Sequence, residues 1–485
     1  MTLDYIEFHA AERPDAVAFV DNGGAITYRH FGRDVRKMIT ALQEFGLTRG
    51  AWVGVGVGNA HQYLHWVILL ALDRLGIATV SLFPKEAPEA YRILDRLSLV
   101  ISEWEYPGAP IKRHHAITPA WLEKVLALPE IGDDALPVES GDDIVRVLRT
   151  TGTTGRPKIL LSARRELECA ADCWAWKLGL SRHSRYMLTI ALEVNTIYGL
   201  ATAALRAGAM VVFETRIHLA EAFSRHGITD VCLFPIDLKA VLDTLPPGYV
   251  KPPNLAITSF GAVLSDDLRT EVSAKLANTL YDDYGAREVG FVSRVASSGG
   301  IGVVSPNVQV EVVDDRGVAL PFGQVGKLRI RSPMMRTVYL DDPEATSRAF
   351  QDDWFISSDL AVLHGPRRLQ IMGRSDEALN IGGRKFPPEV IESRVQSAVD
   401  ARDVGVFSAS NPNGIEEIWV AVAHTLVDDK ELWERIQPSL SSISLQFVRL
   451  HIVRLPAIPR NHGGKIQRNL LKQAVAQARE ISNPA

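Results

Sequence analysis

The sequence predicts an α/β fold, in which a large N-terminal domain of layered α/β subdomains precedes a small α+β domain. Short β-branched runs alternate with amphipathic helical patterns along much of the chain, which is typical of layers with largely parallel strands. From about Val303 apolar and polar residues alternate more strictly, with turn residues between the runs, which predicts antiparallel hairpins or a small β-barrel-like region. Beyond Gly373 a helical stretch, three strands and a final helix predict a compact unit. We therefore place the two domains at residues 1–373 and 374–485.

Each predicted element follows from the residues of its run. Runs rich in valine, isoleucine and aromatic residues predict strands, and apolar residues three or four apart predict helices. The predicted N-terminal strands lie at 16–20, 52–57, 78–82, 186–190, 210–213, 230–234 and 255–259, and the helices at 28–45 and 61–75. In the C-terminal unit the predicted helix is PPEVIESRVQSAV, and the strands are VGVFSA, IWVAVAHT and FVRLHIV.

The composition excludes several classes of protein. Of the 485 residues, 46% are hydrophobic and 23% are charged, which is the balance of a soluble globular chain and not of a disordered one. A net charge of −4 provides no field that would recruit nucleic acid. The most apolar early run, at 66–72, is too short to span a membrane, and the N-terminus lacks the pattern of a signal peptide. We therefore expect a cytoplasmic protein with no membrane span.

The three cysteines, Cys169, Cys173 and Cys232, are too few for a disulfide framework and indicate a reducing compartment. Cys169 and Cys173 are four residues apart, which is a helical spacing. Since no further cysteine or nearby histidine completes a zinc set, we expect two buried thiols and no zinc site.

The segment at 149–158, RTTGTTGRPK, is the most informative about chemistry. Its glycines let backbone N–H groups approach an anion closely, its threonine hydroxyls add donors, and Lys158 adds a positive charge. The Walker pattern of a P-loop is absent, because Lys158 lies three residues after Gly155. From the residues alone, the segment is either a phosphate cradle or a solvent-exposed, hydroxyl-rich turn.

This segment resembles the T-S-G-T-T-G-x-P-K phosphate loop of the adenylate-forming superfamily, with Thr151 in place of serine. That superfamily includes acyl-CoA and aryl-CoA synthetases, peptide-synthetase adenylation domains and firefly-type luciferases. Further segments resemble the family's motifs in the expected order, so that the similarity covers nearly the whole chain. They lie at 284–288 (Y-G-x-T-E), 354–359 (W-[FY]-x-T-G-D), 373–377 with 382–385 and 388–392 (the hinge segment), and 459–468 (P-K-x-x-S-G-K-I-x-R).

The resemblance implies an ATP-dependent, AMP-forming ligase that activates a carboxylic acid as an acyl-adenylate and transfers it to the thiol of coenzyme A. The alternative is a free-standing adenylation enzyme that loads an acyl or amino acid onto the phosphopantetheine of a carrier protein. Both acceptors present the same thiol, so the sequence barely separates them. The non-enzyme alternative is a nucleotide-binding homologue without catalysis. The chain retains Lys465, Glu288 and Asp359, which argues against that alternative.

Roles in nucleotide binding follow from the same resemblance. Glu288 would help to hold Mg²⁺, a task that suits a carboxylate. Asp359 would accept from the ribose hydroxyls, and Arg374 would contact the ribose or phosphate side of the nucleotide. The β- and γ-phosphates would lie against Thr150, Thr151, Gly152, Thr153, Thr154, Gly155 and Lys158, and the adenine against Gly261, Ala262, Asp283 and Tyr284.

Lys465 is implied to reach from the C-terminal domain to the α-phosphate and the attacking carboxylate, where its compact charge would stabilise the transition state. In this superfamily the small domain rotates between adenylation and thioester formation, and Asp376 matches the hinge residue. Three positions depart from the family pattern. Arg287 replaces a threonine beside Glu288, Ser358 replaces a glycine before Asp359, and Gly463 replaces a serine or threonine near Lys465.

The acid pocket is implied to include Glu193, Asn195, Thr196, Phe234, Phe260 and Gly285. Many acyl-CoA synthetases carry an aromatic–histidine pair where this chain reads ALEVNTIYG. Counting back from 205–208 puts Glu193 at the histidine position, whereas counting from Tyr198 puts Thr196 there, and both remain open. The same backward count puts Asn195 where domains for α-amino acids carry an aspartate, which argues against that substrate class. The bulky ring of Phe260 should shorten the pocket, so we expect a small or aromatic acid.

Overall fold

The computed structural model describes residues 2–21, 23–83, 93–106, 111–149, 158–214, 218–262, 264–374, 379–381, 384–386, 388–399, 401, 403–410, 416–425, 427–440, 449–461 and 464–482. The helices are α1 (Thr2–Glu12), α2 (Tyr28–Gln43), α3 (Gln62–Arg74), α4 (Pro119–Ala127), α5 (Arg164–Leu178), α6 (Asn195–Arg206), α7 (Leu219–His226), α8 (Pro235–Asp243), α9 (Asp266–Lys275), α10 (Pro343–Ala349), α11 (Pro388–Val399), α12 (Asp429–Ser439) and α13 (Arg468–Ser482). Short 3₁₀ helices span Asn59–His61, Leu94–Arg96 and Asp133–Ala135.

The strands are β1 (Val17–Asp21), β2 (Gly24–Thr27), β3 (Trp52–Gly56), β4 (Ala78–Ser81), β5 (Leu99–Ser102), β6 (His114–Ala116), β7 (Ile144–Arg149), β8 (Ile159–Ala163), β9 (Arg185–Leu188), β10 (Met210–Phe213), β11 (Asp230–Leu233), β12 (Ala256–Phe260), β13 (Thr279–Ala286), β14 (Gly290–Val295), β15 (Ile301–Val304), β16 (Gln309–Val313), β17 (Val325–Arg331), β18 (Phe350–Gln351), β19 (Trp354–Leu363), β20 (Arg368–Arg374), β21 (Leu379–Ile381), β22 (Arg384–Phe386), β23 (Asp403–Ser410), β24 (Glu416–Ala423) and β25 (Leu450–Arg454). The predicted N-terminal strands and helices correspond to β1, β3, β4, β9–β12, α2 and α3, with ends that differ by one or two residues.

Several helices begin where a short polar side chain can accept a backbone hydrogen bond. Thr27, Thr118, Ser265 and Asp428 precede α2, α4, α9 and α12, and each accepts from the N–H three residues further on. These caps satisfy donors that the first helical turn leaves unpaired, and each is worth about 1 kcal/mol.

The larger sheet is parallel at one end and antiparallel at the other. Its strand order is β16-β17-β19-β20-β15-β14-β13-β12-β11-β9-β10-β1-β2. The strands from β1 through β10, β9, β11 and β12 to β13 pair in parallel, as the alternation of strands and helices predicts. From β13 to β16 all pairings are antiparallel. The region beyond Val303 is therefore antiparallel as predicted, and it continues the parallel sheet through β13 and β14.

A second sheet, of order β6-β5-β3-β4-β7-β8, is parallel except for its last pair. In that antiparallel pair, Arg149 at the end of β7 lies opposite Ile159 at the start of β8. The predicted phosphate loop thus connects two paired strands.

The main core lies between the two sheets. Phe19 and Tyr186 of the larger sheet belong to the same buried cluster as Val55 and Ile101 of the second sheet, and Trp66 of α3 completes it. Helices α2, α3 and α6 therefore form a layer between sheets, and their burial supplies the hydrophobic stabilisation of this part of the chain.

The C-terminal part has its own sheet, of order β23-β24-β25, and its own buried clusters. The predicted helix corresponds to α11 and the predicted strands to β23, β24 and β25. The predicted boundary residue Asp376 lies outside the described residues, so the division at 373/374 and the hinge stay predictions. Among the helices described, none is long and apolar enough to cross a bilayer.

Candidate active site

A cleft of about 1860 Å³ opens between the N-terminal and C-terminal parts of the chain. One wall is formed by the carboxyl ends of β12 and β13, which is where α/β sheets usually bind ligands, together with faces of α5, α6 and α9. The opposite wall is formed by α11 and by the turn that precedes α13.

The cleft brings together residues that are far apart in the sequence. The predicted site residues that line it are Lys158, Asn195, Thr196, Phe234, Phe260, Gly261, Ala262, Asp283, Tyr284, Gly285, Glu288, Asp359, Arg374 and Lys465. The loop residues Thr150, Thr151, Gly152, Thr153, Thr154 and Gly155 lie outside the described residues, as does Asp376.

Asp359 lies within β19 and is held by two hydroxyls. Ser357 donates to its Oδ2 at 2.8 Å, and the Tyr284 hydroxyl donates to the same oxygen. Arg374 is its partner in register on β20. Over the described part of the chain, Oδ1 of Asp359 accepts no hydrogen bond. The carboxylate is therefore oriented through one oxygen and can accept from a ligand with the other.

Both carboxylate oxygens of Asp283 accept hydrogen bonds from cationic side chains. Arg294 donates to Oδ1 at 2.8 Å and to Oδ2 at 3.1 Å, and Lys177 also donates to Oδ2. The Lys177 ammonium lies 3.4 Å from the ring centroid of Trp174 and 3.7 Å from that of Phe291. Burial lowers the pKa of Lys177 to about 8, against the opposing effect of Asp283. No sequence motif predicts this arrangement, since Lys177 lies on α5 and Arg294 on β14.

Glu288 lies in the turn between β13 and β14. The hydroxyl of Tyr339 donates to its Oε1 at 2.8 Å, and Lys158 Nζ lies 4.5 Å from the centroid of the Tyr339 ring. The turn is tight enough to require a glycine at Gly285, because a Cβ there would lie 2.5 Å from the Gly290 carbonyl oxygen. Oε2 of Glu288 accepts no hydrogen bond from any described residue.

Two arginines also line the cleft beside Glu288. Arg336, which no sequence motif indicated, donates from Nε to the Ser162 hydroxyl at 2.9 Å and from Nη1 to the Arg287 carbonyl at 2.8 Å. The Arg287 guanidinium has no hydrogen-bond or ion-pair partner among the described residues, and burial lowers its pKa. The charge of Glu288 opposes this lowering of the Arg287 pKa, and the charge of Arg149 adds to it.

One part of the cleft forms a pocket between helix α6 and two aromatic rings. On α6, residues Asn195, Gly199 and Thr202 share one helix face and line it. The rings of Phe234 and Phe260 pack against each other with centroids 4.6 Å apart. Two adjoining aromatic rings limit the depth of the pocket on that side.

The prediction that Glu193 lines this pocket requires correction. Thr196 and Asn195 line the cleft, whereas Glu193 does not. Glu193 is buried, with Oε1 3.6 Å from His65 Nδ1 of α3. Burial raises the pKa of Glu193 to about 7 and lowers that of His65 to about 3, so the imidazole is neutral and the contact is not an ion pair. Counting from Tyr198 puts Thr196 at the family's histidine position, and Thr196 lines the cleft. Counting back from 205–208 puts Glu193 there, which does not line it.

Lys465 projects into the cleft from the turn before α13, and its side chain is exposed. Its ammonium has no hydrogen-bond or ion-pair partner in the described part of the chain. The described residues also contain no group of three histidine, cysteine or acidic side chains that could hold a metal ion by themselves. Cys169 and Cys173 are half-buried and unpaired rather than fully buried, and Cys232 is buried.

Comparisons with known proteins agree with this arrangement of motifs. Residues 6–340 match the family described as AMP-binding enzyme. The chain is 24% identical to 4-coumarate–CoA ligase 5 of Oryza sativa subsp. japonica, over 98% of this chain and 94% of that protein. It is 23% identical to the fatty acid–[acyl-carrier-protein] ligase MmaC of Mycobacterium marinum, over 98% of each chain.

The fold is also similar to solved structures. The crystal structure of ATP-bound MatB from Rhodopseudomonas palustris superposes with a TM-score of 0.85 at 20% identity, over 100% of both chains. Fold similarity at that identity concerns the architecture, whereas the family match covers more than half of the sequence. The order of motifs, the layered α/β architecture and the match over residues 6–340 show that the chain belongs to the AMP-binding enzyme family.

Proposed function

We propose that this protein is an ATP-dependent, AMP-forming ligase that activates a small or aromatic carboxylic acid and transfers it to a thiol. In the first step a carboxylate oxygen bonds to the α-phosphorus of ATP, the bond from that phosphorus to the bridging oxygen breaks, and pyrophosphate leaves. In the second step a thiolate sulfur bonds to the acyl carbon and AMP leaves. The observation that carries the proposal is the shared cleft, which combines the cations of Lys465 and Arg287, the carboxylates of Asp359 and Glu288, and the aromatic rings of Phe234 and Phe260.

The nucleotide would occupy the half of the cleft that contains Asp359. The free Oδ1 of Asp359 suits the ribose hydroxyls, and Arg374, paired in register with it, would contact the ribose or phosphate side. The adenine would lie against Gly261, Ala262 and Tyr284. Asp283 would contribute here through its backbone, because its carboxylate is occupied by Lys177 and Arg294. The polyphosphate would extend to Lys158 and the loop at 150–155.

Mg²⁺ fits the donor set beside Glu288. This cation usually takes one or two carboxylates and completes its shell with substrate phosphates and water. The free Oε2 of Glu288 supplies one such ligand, while Tyr339 holds Oε1. When bound, the ion would neutralise phosphate charge, and Arg287 would add a guanidinium on the same side.

Lys465 is the proposed catalytic residue, because it lines the cleft from the C-terminal part and its ammonium has no partner among the described residues. A movement of residues 374–485 about Asp376 would withdraw Lys465 after adenylation and admit the thiol. Such a rotation separates the two half-reactions without separate active sites.

The acid pocket supports a small or aromatic substrate. The paired rings of Phe234 and Phe260 close one side, and Asn195, Thr196 and Gly285 complete the lining. The two relatives named above are a ligase of 4-coumarate and a ligase of fatty acids, so they leave the identity of the acid open.

Coenzyme A is the first proposed acceptor, and the phosphopantetheine of a carrier protein is the alternative. Of the two named relatives, one is a ligase of coenzyme A and the other is a ligase of an acyl carrier protein. A nucleotide-binding protein without catalysis is disfavoured by the retained Lys465, Glu288 and Asp359, which all face the cleft.

A pyrophosphate-release screen over a panel of carboxylic acids tests the proposal. We expect release that depends on an added acid, on ATP and on Mg²⁺, with the best rates for small or aromatic acids. Addition of coenzyme A or of phosphopantetheinylated carriers to the preformed adenylate then identifies the acceptor. Release of pyrophosphate without any acid, or no release with any acid, would contradict a carboxylate ligase.

A further inference from the structure

The turn that carries Lys465 is fastened to a neighbouring strand by Arg460. This residue lies five positions before Lys465, and Ile466 pairs with it across the turn in an isolated antiparallel bridge. Asn461 N–H donates to the Lys465 carbonyl at 2.9 Å, and the Lys465 N–H donates to Asn461 Oδ1 at 3.1 Å. These bonds close the turn locally, but none of them fixes its orientation relative to the rest of the C-terminal part.

Arg460 supplies that fixation through its guanidinium. Nε donates to Asp403 Oδ2 at 3.1 Å, and Nη2 donates to Oδ1 of the same carboxylate. Nη1 donates to the Gly464 carbonyl at 2.5 Å, which belongs to the peptide group directly before Lys465. One planar group therefore joins the start of β23 to the backbone that carries Lys465.

The remaining contacts give the turn a rigid base. Ile458 and Ile466 on either side of it are buried in the same cluster as Leu471 of α13. Gly464 adopts a φ of 75°, a left-handed conformation that glycine adopts without strain. The side chains of Arg460 and Asp403 are 23% and 14% exposed, so their pairing is partly shielded from solvent.

We propose that Arg460 and Asp403 form a clamp that positions Lys465 for the first half-reaction. This inference rests on the proposed role of Lys465. Arg460 is a positioning residue, since each of its three guanidinium nitrogens donates to a protein oxygen. A long, flexible lysine on a loosened turn would reach the α-phosphate in only a fraction of its conformations.

The experiment measures the two half-reactions separately in single turnovers. Arg460→Met should slow adenylation roughly tenfold to a hundredfold, as small misplacements of a catalytic group do. Thioester formation from supplied acyl-adenylate and thiol should stay near the wild-type rate, and the KM for ATP should change little. Asp403→Asn should slow the same step. Arg460→Lys should retain part of the rate, because an ammonium keeps the charge without the fork.

A double-mutant cycle with Lys465→Ala tests whether Arg460 acts through Lys465. In the Lys465→Ala background, Arg460→Met should cost nothing further. The matched control is Arg454→Met, which removes another arginine of the C-terminal part that pairs with an aspartate, Asp429, away from the cleft. The control should leave both half-reactions unchanged, and thermal unfolding checks that every variant is folded.

The outcomes separate the clamp from the function that it serves. Normal adenylation by Lys465→Ala would overturn the role of Lys465 and the clamp with it. Slow adenylation by Lys465→Ala with a normal rate for Arg460→Met and Asp403→Asn would overturn only the clamp. Additive losses in the cycle, or equal slowing of both half-reactions by Arg460→Met, would show that the pair serves general stability instead. If Arg460→Met does not fold, Asp403→Asn and Arg460→Lys decide the same question.

Discussion

The hydroxyl of Tyr284 donates a hydrogen bond to the Asp359 carboxylate, although the two residues lie on β13 and β19 and are 75 positions apart. Ser357 donates to the same oxygen of Asp359 at 2.8 Å. Two motifs that the sequence shows only as separate segments thus meet as one polar unit at the cleft. This geometry leaves the other oxygen of the Asp359 carboxylate available for a ligand, which we propose to be the ribose of ATP.

Asp359→Ala should raise the KM for ATP more than the KM for the acid. A charge-assisted hydrogen bond is worth about 1.5–3 kcal/mol, so the increase should be roughly tenfold to a hundredfold. Tyr284→Phe, which keeps the carboxylate and removes one of its two orienting bonds, should have a smaller effect in the same direction. Steady-state kinetics with each substrate varied provide the measurement. Equal increases for both substrates would argue against a ribose contact.

Lys465→Ala should slow adenylation by about 10²–10³ in kcat, which is the usual effect of removing one well-placed electrostatic donor. The second half-reaction, started from supplied acyl-adenylate and thiol, should continue near the wild-type rate, because Lys465 would be withdrawn at that stage. Single-turnover assays of each step measure this difference. The assignment is wrong if adenylate forms normally or if both steps slow equally.

Arg287→Met should weaken ATP use, because Arg287 lines the cleft beside Glu288 and its guanidinium has no partner among the described residues. We expect a loss of roughly tenfold or more in kcat/KM for ATP, as for other charge-assisted contacts to phosphate. Arg287→Lys should recover part of the loss, because it retains the charge but lacks the forked donors. An unchanged kcat/KM for ATP, together with an altered acid preference, would place Arg287 at the acid instead.

Phe260→Gly should admit longer acids, because it removes one of the two rings that adjoin in the pocket. The expected change is a shift of the best kcat/KM towards longer chains, with each added methylene worth about 1 kcal/mol. Phe260→Leu, which preserves most of the volume, is the matched control and should retain the wild-type profile. If the chain-length profile of Phe260→Gly is also unchanged, Phe260 does not limit the pocket.

Glu193→Gln should alter how stability depends on pH. Burial raises the pKa of Glu193 from 4.5 to about 7, so the folded protein holds a proton that the unfolded chain has released in that range. Protonated Glu193 makes its full contribution to the free energy of unfolding below about pH 4.5. That contribution is lost as the pH rises through about 7, and the loss is at most roughly 3 kcal/mol. Glutamine does not ionise, so the variant does not lose this contribution. Its free energy of unfolding should therefore rise relative to that of the wild type as the pH increases from 5 to 8. Urea unfolding of both proteins at pH 5 and pH 8 measures this difference. An equal change in the free energy of unfolding of the two proteins would contradict a buried, protonated Glu193.

Much of the fold follows from local sequence. Capping residues such as Thr27 and Ser265 favour the start of a helix before an amphipathic run, and β-branched runs such as the one at 210–213 favour strands. The motif residues Glu288, Asp359 and Lys465 could be identified for a similar reason. Each lies in a short segment that resembles a family motif, and the motif can be identified without knowing which residues are nearby in space. All three line one cleft, as the proposed roles require.

Local sequence was therefore sufficient to identify the family, the α/β architecture and the residues available for chemistry. Tertiary packing decided which of those side chains are free. Glu193 precedes α6 and turns into the core against α3, while Asn195 and Thr196 at the start of the helix face the cleft. Asp283 is neutralised by Lys177 and Arg294 from two other elements, and Arg460 is engaged by Asp403 from β23. Each of these outcomes depends on a partner distant in the chain, because the pairing of a buried charge is set by whichever elements pack around it and not by its sequence neighbours.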